Sequence, residues 1–348
     1  MIDTHRLNLG TCAFGRAIDA RGKPLDGGPA LGGRSIPLEL RAPLPNQRAP
    51  IGTPLWTGIR VVDGLLTIGR GARVGIFGAP GCGKSVFIEE IVGGCAADAV
   101  VVALVGERGR EAERWLALRN DRTTIVCATS DRPSEERVAA AHVAVIHAAA
   151  LRERGLHVML VVDSLARVAG ALRETAVAAG ESTGRGGYPP RVFAELARLL
   201  EVCGALHEGS ITLVATVLCD GDDRDPVSEA SRSLLDGHLA LSARLANAGR
   251  FPAVDVLRST SRTMEAVASY SHLRAALRLR RAIALLDRVE DARSIGIEPA
   301  DRATLAAIAA ESRLEAFLRQ PRGSIARQAT LAHLFEIADL FEEDDGYR

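Results

Sequence analysis

The chain has 348 residues, of which 47% are hydrophobic and 25% charged, enough for a large buried core and for two or three domains. Its 43 basic and 43 acidic residues cancel, so no global charge draws it to nucleic acid or to an anionic lipid surface. Six scattered cysteines without a C-x-x-C pair read as reduced thiols rather than a metal site or disulfides. With no apolar run of about 18 residues and no signal-peptide stretch, the expectation is a soluble cytoplasmic protein.

In chain order, the first 50 or so residues are rich in glycine and proline ("ARGKPLDGGPALGGRS", "RAPLPNQRAP") and read as an irregular lead-in with short strands. From Arg73 the rhythm changes. "RVGIFG" is a short apolar strand, and a helix follows over 83–93. "AVVVALVG" (99–106) predicts a second strand, 110–119 a helix, and "TTIVCAT" (123–129) a third strand. A long helix over 134–154 places Val138, Ala141, His142 and Val145 on one side. "HVMLVVDS" (157–164) and "SITLVATVLC" (210–219) complete the strands. Strands that are apolar on both faces and alternate with helices predict a parallel sheet covered on both sides. After Ser271 the strand signal stops and three helices are expected, the last carrying Leu331, Leu334, Phe335 and Ala338 at helical spacing.

The stretch "GAPGCGKSV", Gly78 to Val86, contains G-x-x-x-x-G-K-[ST] between a strand and a helix, the context this pattern requires. Gly78, Gly81 and Gly83 let backbone N–H groups turn inward around an anion, and the helix start adds partial positive charge. Lys84 would reach the β- and γ-phosphates, Ser85 would ligate Mg²⁺, and Cys82 and Val86 belong to the same binding stretch. Asp163 ends an apolar strand, where a carboxylate would hold Mg²⁺ through water. The alternative is an N-cap for the next helix, and the phosphate loop upstream favours the metal. Glu107, just past another strand end, is the candidate general base. Glu111, one helical turn on, would support the water or the outer shell of the metal, with plain solvated charge as its rival.

Six segments carry a family resemblance: "VGERGRE", "VVDSLARVAGALRE", "GYPPRVFAELARLLE", "GSITLVATVLCDGDD", "SLLDGHLALSARLA" and "FPAVDVLRSTSRTM". Their order resembles the ATPases of type III protein secretion, which serve flagella and injectisomes and are similar to the catalytic subunit of rotary ATP synthases. "DSLAR" and "GYPPRVFAEL" look like the secretion branch. The resemblance implies an α/β fold, a RecA-like P-loop core with a mostly parallel sheet, followed by a helical C-terminal domain. It also implies a homohexamer with ATP and Mg²⁺ between subunits, a central stalk, peripheral regulators, chaperone–effector complexes as partners, and a place at the cytoplasmic face of the inner membrane through them. Arg262 matches the arginine supplied across the subunit interface, its charge permanent and suited to a transition state. Arg108 and Arg167 match positions near the nucleotide. Phe251 stands where tyrosine usually faces adenine, and its ring keeps the stacking capacity.

The family begins with a β-barrel, of which residues 1–28 read as a remnant and linker, followed by an ATPase domain over 29–270 and a helical domain over 271–348. Truncation is therefore expected, which leaves the short chain's state open between monomer and hexamer. Arg191 replaces a small hydroxyl residue after "YPP", and "CDGDDRD" is a shortened acidic loop; both put partner contacts of the loop in doubt. The rival readings are a rotary ATP synthase subunit, disfavoured by the two branch motifs, a flagellar rather than injectisome ATPase, and a non-catalytic nucleotide-binding subunit, disfavoured by Glu107. An RNA-translocating hexamer is disfavoured by the neutral charge.

Overall fold

A computed structural model describes residues 6–33, 35–219, 225–294 and 301–341, with backbone only for 290–294. The shortened acidic loop lies mostly outside the described residues. The lead-in supplies β1 (Arg6–Asn8), β2 (Ala17–Ile18), β3 (Ser35–Pro37) and β4 (Pro54–Leu55). After α1 (Arg60–Leu65) and β5 (Ile68–Gly69) come β6 (Arg73–Gly78), α2 (Lys84–Gly94), β7 (Ala99–Val105), α3 (Gly109–Leu118) and β8 (Thr123–Ala128). Then follow α4 (Ser134–Arg152), β9 (His157–Asp163), α5 (Leu165–Ala178), α6 (Pro190–Glu201), β10 (Gly204–Ala205) and β11 (Ser210–Leu218). The remainder is α7 (Pro226–Leu234), β12 (Gly237–Leu241), α8 (Ala243–Asn247), β13 (Val254–Ser261), α9 (Met264–Val267), α10 (Tyr270–Ser294), α11 (Arg302–Ala309), α12 (Glu311–Leu318) and α13 (Arg327–Ala338).

The chain forms two compact units and passes between them repeatedly. The first comprises Met1–Ile51, Arg70–Pro80 and Ala97–His238; the second comprises Gly52–Gly69, Gly81–Ala96 and Leu239–Arg348. In the first, the strand order is β6-β11-β9-β7-β8-β2, parallel throughout, with β10 antiparallel on β11. Every residue of β7 and β9 is buried, which explains their unbroken apolar runs: a central strand has no solvent face to make polar. The order also carries all the carboxyl ends to one edge, where Gly78, Val105 and Asp163 close their strands. β2, within the lead-in, extends the sheet by pairing with Ile125 and Val126.

Helix α4 packs on β7, β8 and β9. Its burial is wider than one stripe: Val138 and His142 are only half-buried, while Val143, Ala144, Ile146 and His147 are buried as well. His147 is fully enclosed, and burial lowers its pKa to about 4, keeping the ring neutral. Its Nδ1 accepts from the Gly10 N–H at 3.3 Å, so Nε2 carries the proton and donates to Thr124 Oγ1 at 3.1 Å. Thr124 in turn donates to the Ala13 carbonyl at 2.7 Å, tying the lead-in to the sheet.

In the second unit, α10 packs against α1, α11 and α13, and β13 lies beside β12. Four helices, not three, follow residue 269 among the described residues. The additional break falls at Ala310, between α11 and α12, where neither glycine nor proline marks it. Burial of Leu314 and Phe317 on the far side sets the new direction. Phe317 sits against Gly64, where an added Cβ would come within 2.7 Å of the ring. Asp63, fully buried, accepts from the Thr57 N–H (2.9 Å), the Thr57 hydroxyl (2.7 Å) and the Gly58 N–H (2.9 Å). Burial raises its pKa to about 6, with those donors pulling it back. Asp63→Ala would leave three buried donors unmatched, and a loss of about 3 kcal/mol or more is expected. Urea unfolding checks it, and a loss below about 1 kcal/mol would deny Asp63 this role.

Candidate active site

In the first unit the carboxyl edge of the sheet gathers the acidic residues. β7 ends at Val105, and Gly106, at a positive φ of 67°, turns the chain so that Glu107 points inward. Glu107 is 3% exposed and Asp163 7%. Leu104 pairs with Asp163 across β7 and β9, which brings the two strand ends level. Carboxyl oxygens of Glu107, Glu111 and Asp163 all lie within 4.8 Å of one another. Thr216 donates to Asp163 Oδ1 at 2.6 Å and fixes its rotamer.

Arg167, on the first turn of α5, answers this cluster. Its Nε lies 2.7 Å from Glu107 Oε1, and its Nη1 donates to the Gly106 carbonyl at 2.5 Å. One guanidinium does not balance the site. Burial first, then Glu111 and Asp163, push the Glu107 pKa up to about 9, and the opposing pull of Arg167 is outweighed. Glu107 Oε2 is buried and receives no hydrogen bond among the described residues. An orphaned, oxygen-only donor set of this kind suits a hard divalent cation such as Mg²⁺, or the proton of a bound water. Asp163 is not the cap of α5: that place belongs to Ser164, whose hydroxyl accepts from the Arg167 N–H at 3.3 Å.

The glycine-rich stretch leaves β6 at Gly78 in the first unit and enters α2 in the second. Gly81 and Gly83 adopt φ of 83° and 92°, left-handed conformations that side chains resist. Cys82 is buried, while Lys84, Ser85 and Val86 form the first turn of α2, with Lys84 Nζ 3.9 Å from Cys82 Sγ. Within the second unit a cavity of about 560 Å³ is lined by Cys82, Gly83, Val86 and Phe251, among others. Phe251 is 54% exposed and presents an aromatic side chain to this cavity. Gln320, at its floor, holds the surrounding loops. Its N–H donates to the Phe251 carbonyl (2.8 Å), its Nε2 to the carbonyls of Gly58 (2.9 Å) and Gly323 (2.6 Å), and its Oε1 accepts from the Arg60 N–H (2.8 Å).

Two sequence-selected arginines stand outside these groupings. Arg108 is the exposed N-cap of α3, and Arg262 is exposed in the turn after β13, with no hydrogen bond or ion pair among the described residues. Sequence reading missed Thr216 and Gln320. A lone threonine near the end of the apolar run "SITLVATVLC" is a usable signal, whereas Gln320 has none beyond its neighbouring proline and glycine.

Glu107 gains a proton on folding, so its effect on stability has a definite sign. Between about pH 4.5 and pH 9 the unfolded chain releases this proton while the folded one keeps it, and stability falls as pH rises through that window. Glu107→Gln removes this cost. The melting temperature of the variant relative to wild type is expected to climb from pH 5 to pH 9, and a flat difference would show that Glu107 ionises normally.

Residues 58–261 match the ATP synthase alpha/beta family, nucleotide-binding domain. Over 342 residues the chain is 44% identical to the type 3 secretion system ATPase of Xanthomonas euvesicatoria, covering 95% of this chain and 77% of that one. Among solved structures it resembles the assembled ATPase EscN from the type III secretion system of enteropathogenic E. coli. The TM-score is 0.91 at 38% identity, over 96% of this chain and 83% of the other. EscN in complex with its central stalk EscO matches with a TM-score of 0.89 at 38% identity, over the same shares.

Proposed function

Because the chain belongs to the type 3 secretion system ATPases, within the ATP synthase alpha/beta family, it is an ATPase of type 3 protein secretion, and we propose residue roles for its chemistry. The observation that carries them is the buried Glu107 carboxyl, with one orphaned oxygen, at the strand edge beside Asp163. Backbone N–H groups of 78–85 and the Lys84 ammonium bind the triphosphate. Ser85, Asp163 and, in support, Glu111 would hold Mg²⁺, which would offset phosphate charge.

Glu107 takes the proton of the attacking water. Arg167 orients that carboxyl through its Nε, 2.7 Å from Glu107 Oε1. Phe251 stacks on the adenine ring, while Arg108 stands near the nucleotide in a supporting role. Arg262, exposed and without an ion pair among the described residues, reaches the γ-phosphate bound by a neighbouring copy in a homohexamer. By likeness to EscN, a central stalk is a partner. Peripheral regulators and chaperone–effector complexes complete the assembly, in the cytoplasm and held at the inner membrane through these partners.

Three variants separate the roles. Lys84→Ala is expected to lose nucleotide binding and turnover together. Glu107→Gln should retain nucleotide while turnover drops about 100-fold or more; near-normal hydrolysis would remove Glu107 from the base role. For Arg262→Ala, binding by dilute subunits stays intact, and the rise in rate per subunit with concentration, on the order of 10³, disappears. An equal loss of activity in dilute monomer would place this arginine in its own chain's site instead.

A further inference from the structure

The cavity beside Phe251 has a polar feature that phosphate chemistry does not use. Its walls are largely apolar, with Val86, Phe87 and Pro252 next to the exposed phenyl ring. Two of its polar side chains are already occupied. The Gln320 amide is bonded at both ends to backbone groups. Arg319 is held by Glu315 (Nε to Oε2, 3.1 Å) and by the Gly249 carbonyl (3.1 Å). Glu90 differs: it lines the same cavity, is half-buried, and its carboxylate makes no hydrogen bond or ion pair among the described residues. The compensating charge acting on it is that of the exposed Arg322, also on the cavity wall.

The position of Glu90 follows from helix geometry. It lies four residues after Val86, hence on the same face of α2 and about 6 Å further along the axis. Counted from Lys84, the advance is about 9 Å. If Lys84 marks the phosphate end, as the proposed function has it, Val86 falls beside the sugar and Glu90 beside the far edge of a stacked base.

We infer that Glu90 is a specificity-determining residue, whose carboxylate accepts a hydrogen bond from the exocyclic 6-amino group of adenine. An ionised carboxylate only accepts. A 6-keto purine presents an oxygen at that point, so two acceptors would face each other in a partly dry cavity. Mismatches of this kind discriminate strongly because the buried group is left unpaired. An amide at position 90 would lift the discrimination, since it rotates to donate to a keto oxygen.

The test uses the full chain and displacement of a fluorescent ribose-labelled ATP by unlabelled ATP or ITP, with circular dichroism to verify folding. For wild type, ATP is expected to bind tighter than ITP by about tenfold or more. Glu90→Gln should bring the two within a few-fold, chiefly by tightening ITP. Glu90→Ala should also narrow the ratio, but by weakening ATP. An unchanged ATP-to-ITP ratio in both folded variants would overturn the assignment of Glu90 while leaving the ATPase roles intact. Failure of wild type to bind the labelled ATP at all would overturn the nucleotide reading, and this inference with it.

Discussion

The Glu107 carboxyl, buried against two other acids with the Arg167 guanidinium alongside, is the interaction on which the candidate site depends. A carboxylate in that setting is costly, because water is excluded and Coulomb repulsion is stronger in the low-dielectric surroundings. The protein tolerates it by keeping a proton on Glu107 and by laying Arg167 alongside. The same cost makes the site responsive. In the base role proposed for Glu107, a cation or a polarised water that offsets the excess negative charge would favour release of its proton.

That arrangement is a consequence of how a parallel sheet is buried. With both faces of β7 and β9 covered, the polar residues these strands carry are pushed to their ends. Parallel order then brings the ends to one edge. Gly106 provides the turn and Thr216, from the adjoining strand, locks Asp163. None of these residues is near another in the chain, and the alignment of the strands is what makes them a site.

The second unit solves a different problem, the shaping of a mostly apolar cavity from loops. Loops lack the ladder bonds that hold strands, so side chains must replace them. Asp63 gathers Thr57 and Gly58, and the Gly58 carbonyl accepts from Gln320, which also grips the Phe251 backbone. A single chain of hydrogen bonds thus runs from a buried acid in α1 to the backbone of the residue whose aromatic ring lines the cavity. Rigidity at such a wall lowers the ordering cost of binding a flat ligand.

Much of this was legible without coordinates. Local patterning determined the parallel α/β class, the phosphate loop, and the placement of Glu107 and Asp163 at strand ends, because burial writes apolar runs and their polar punctuation directly into the chain. The division between α11 and α12, the enclosure of His147, the clasp of Arg167 on Glu107 and the hub at Gln320 were decided only by tertiary packing. Each depends on partners remote in sequence, and residue type alone holds no record of which partner burial will bring. The sequence by itself therefore settled which chemistry is available, while the folded structure decided which side chains are left free to perform it.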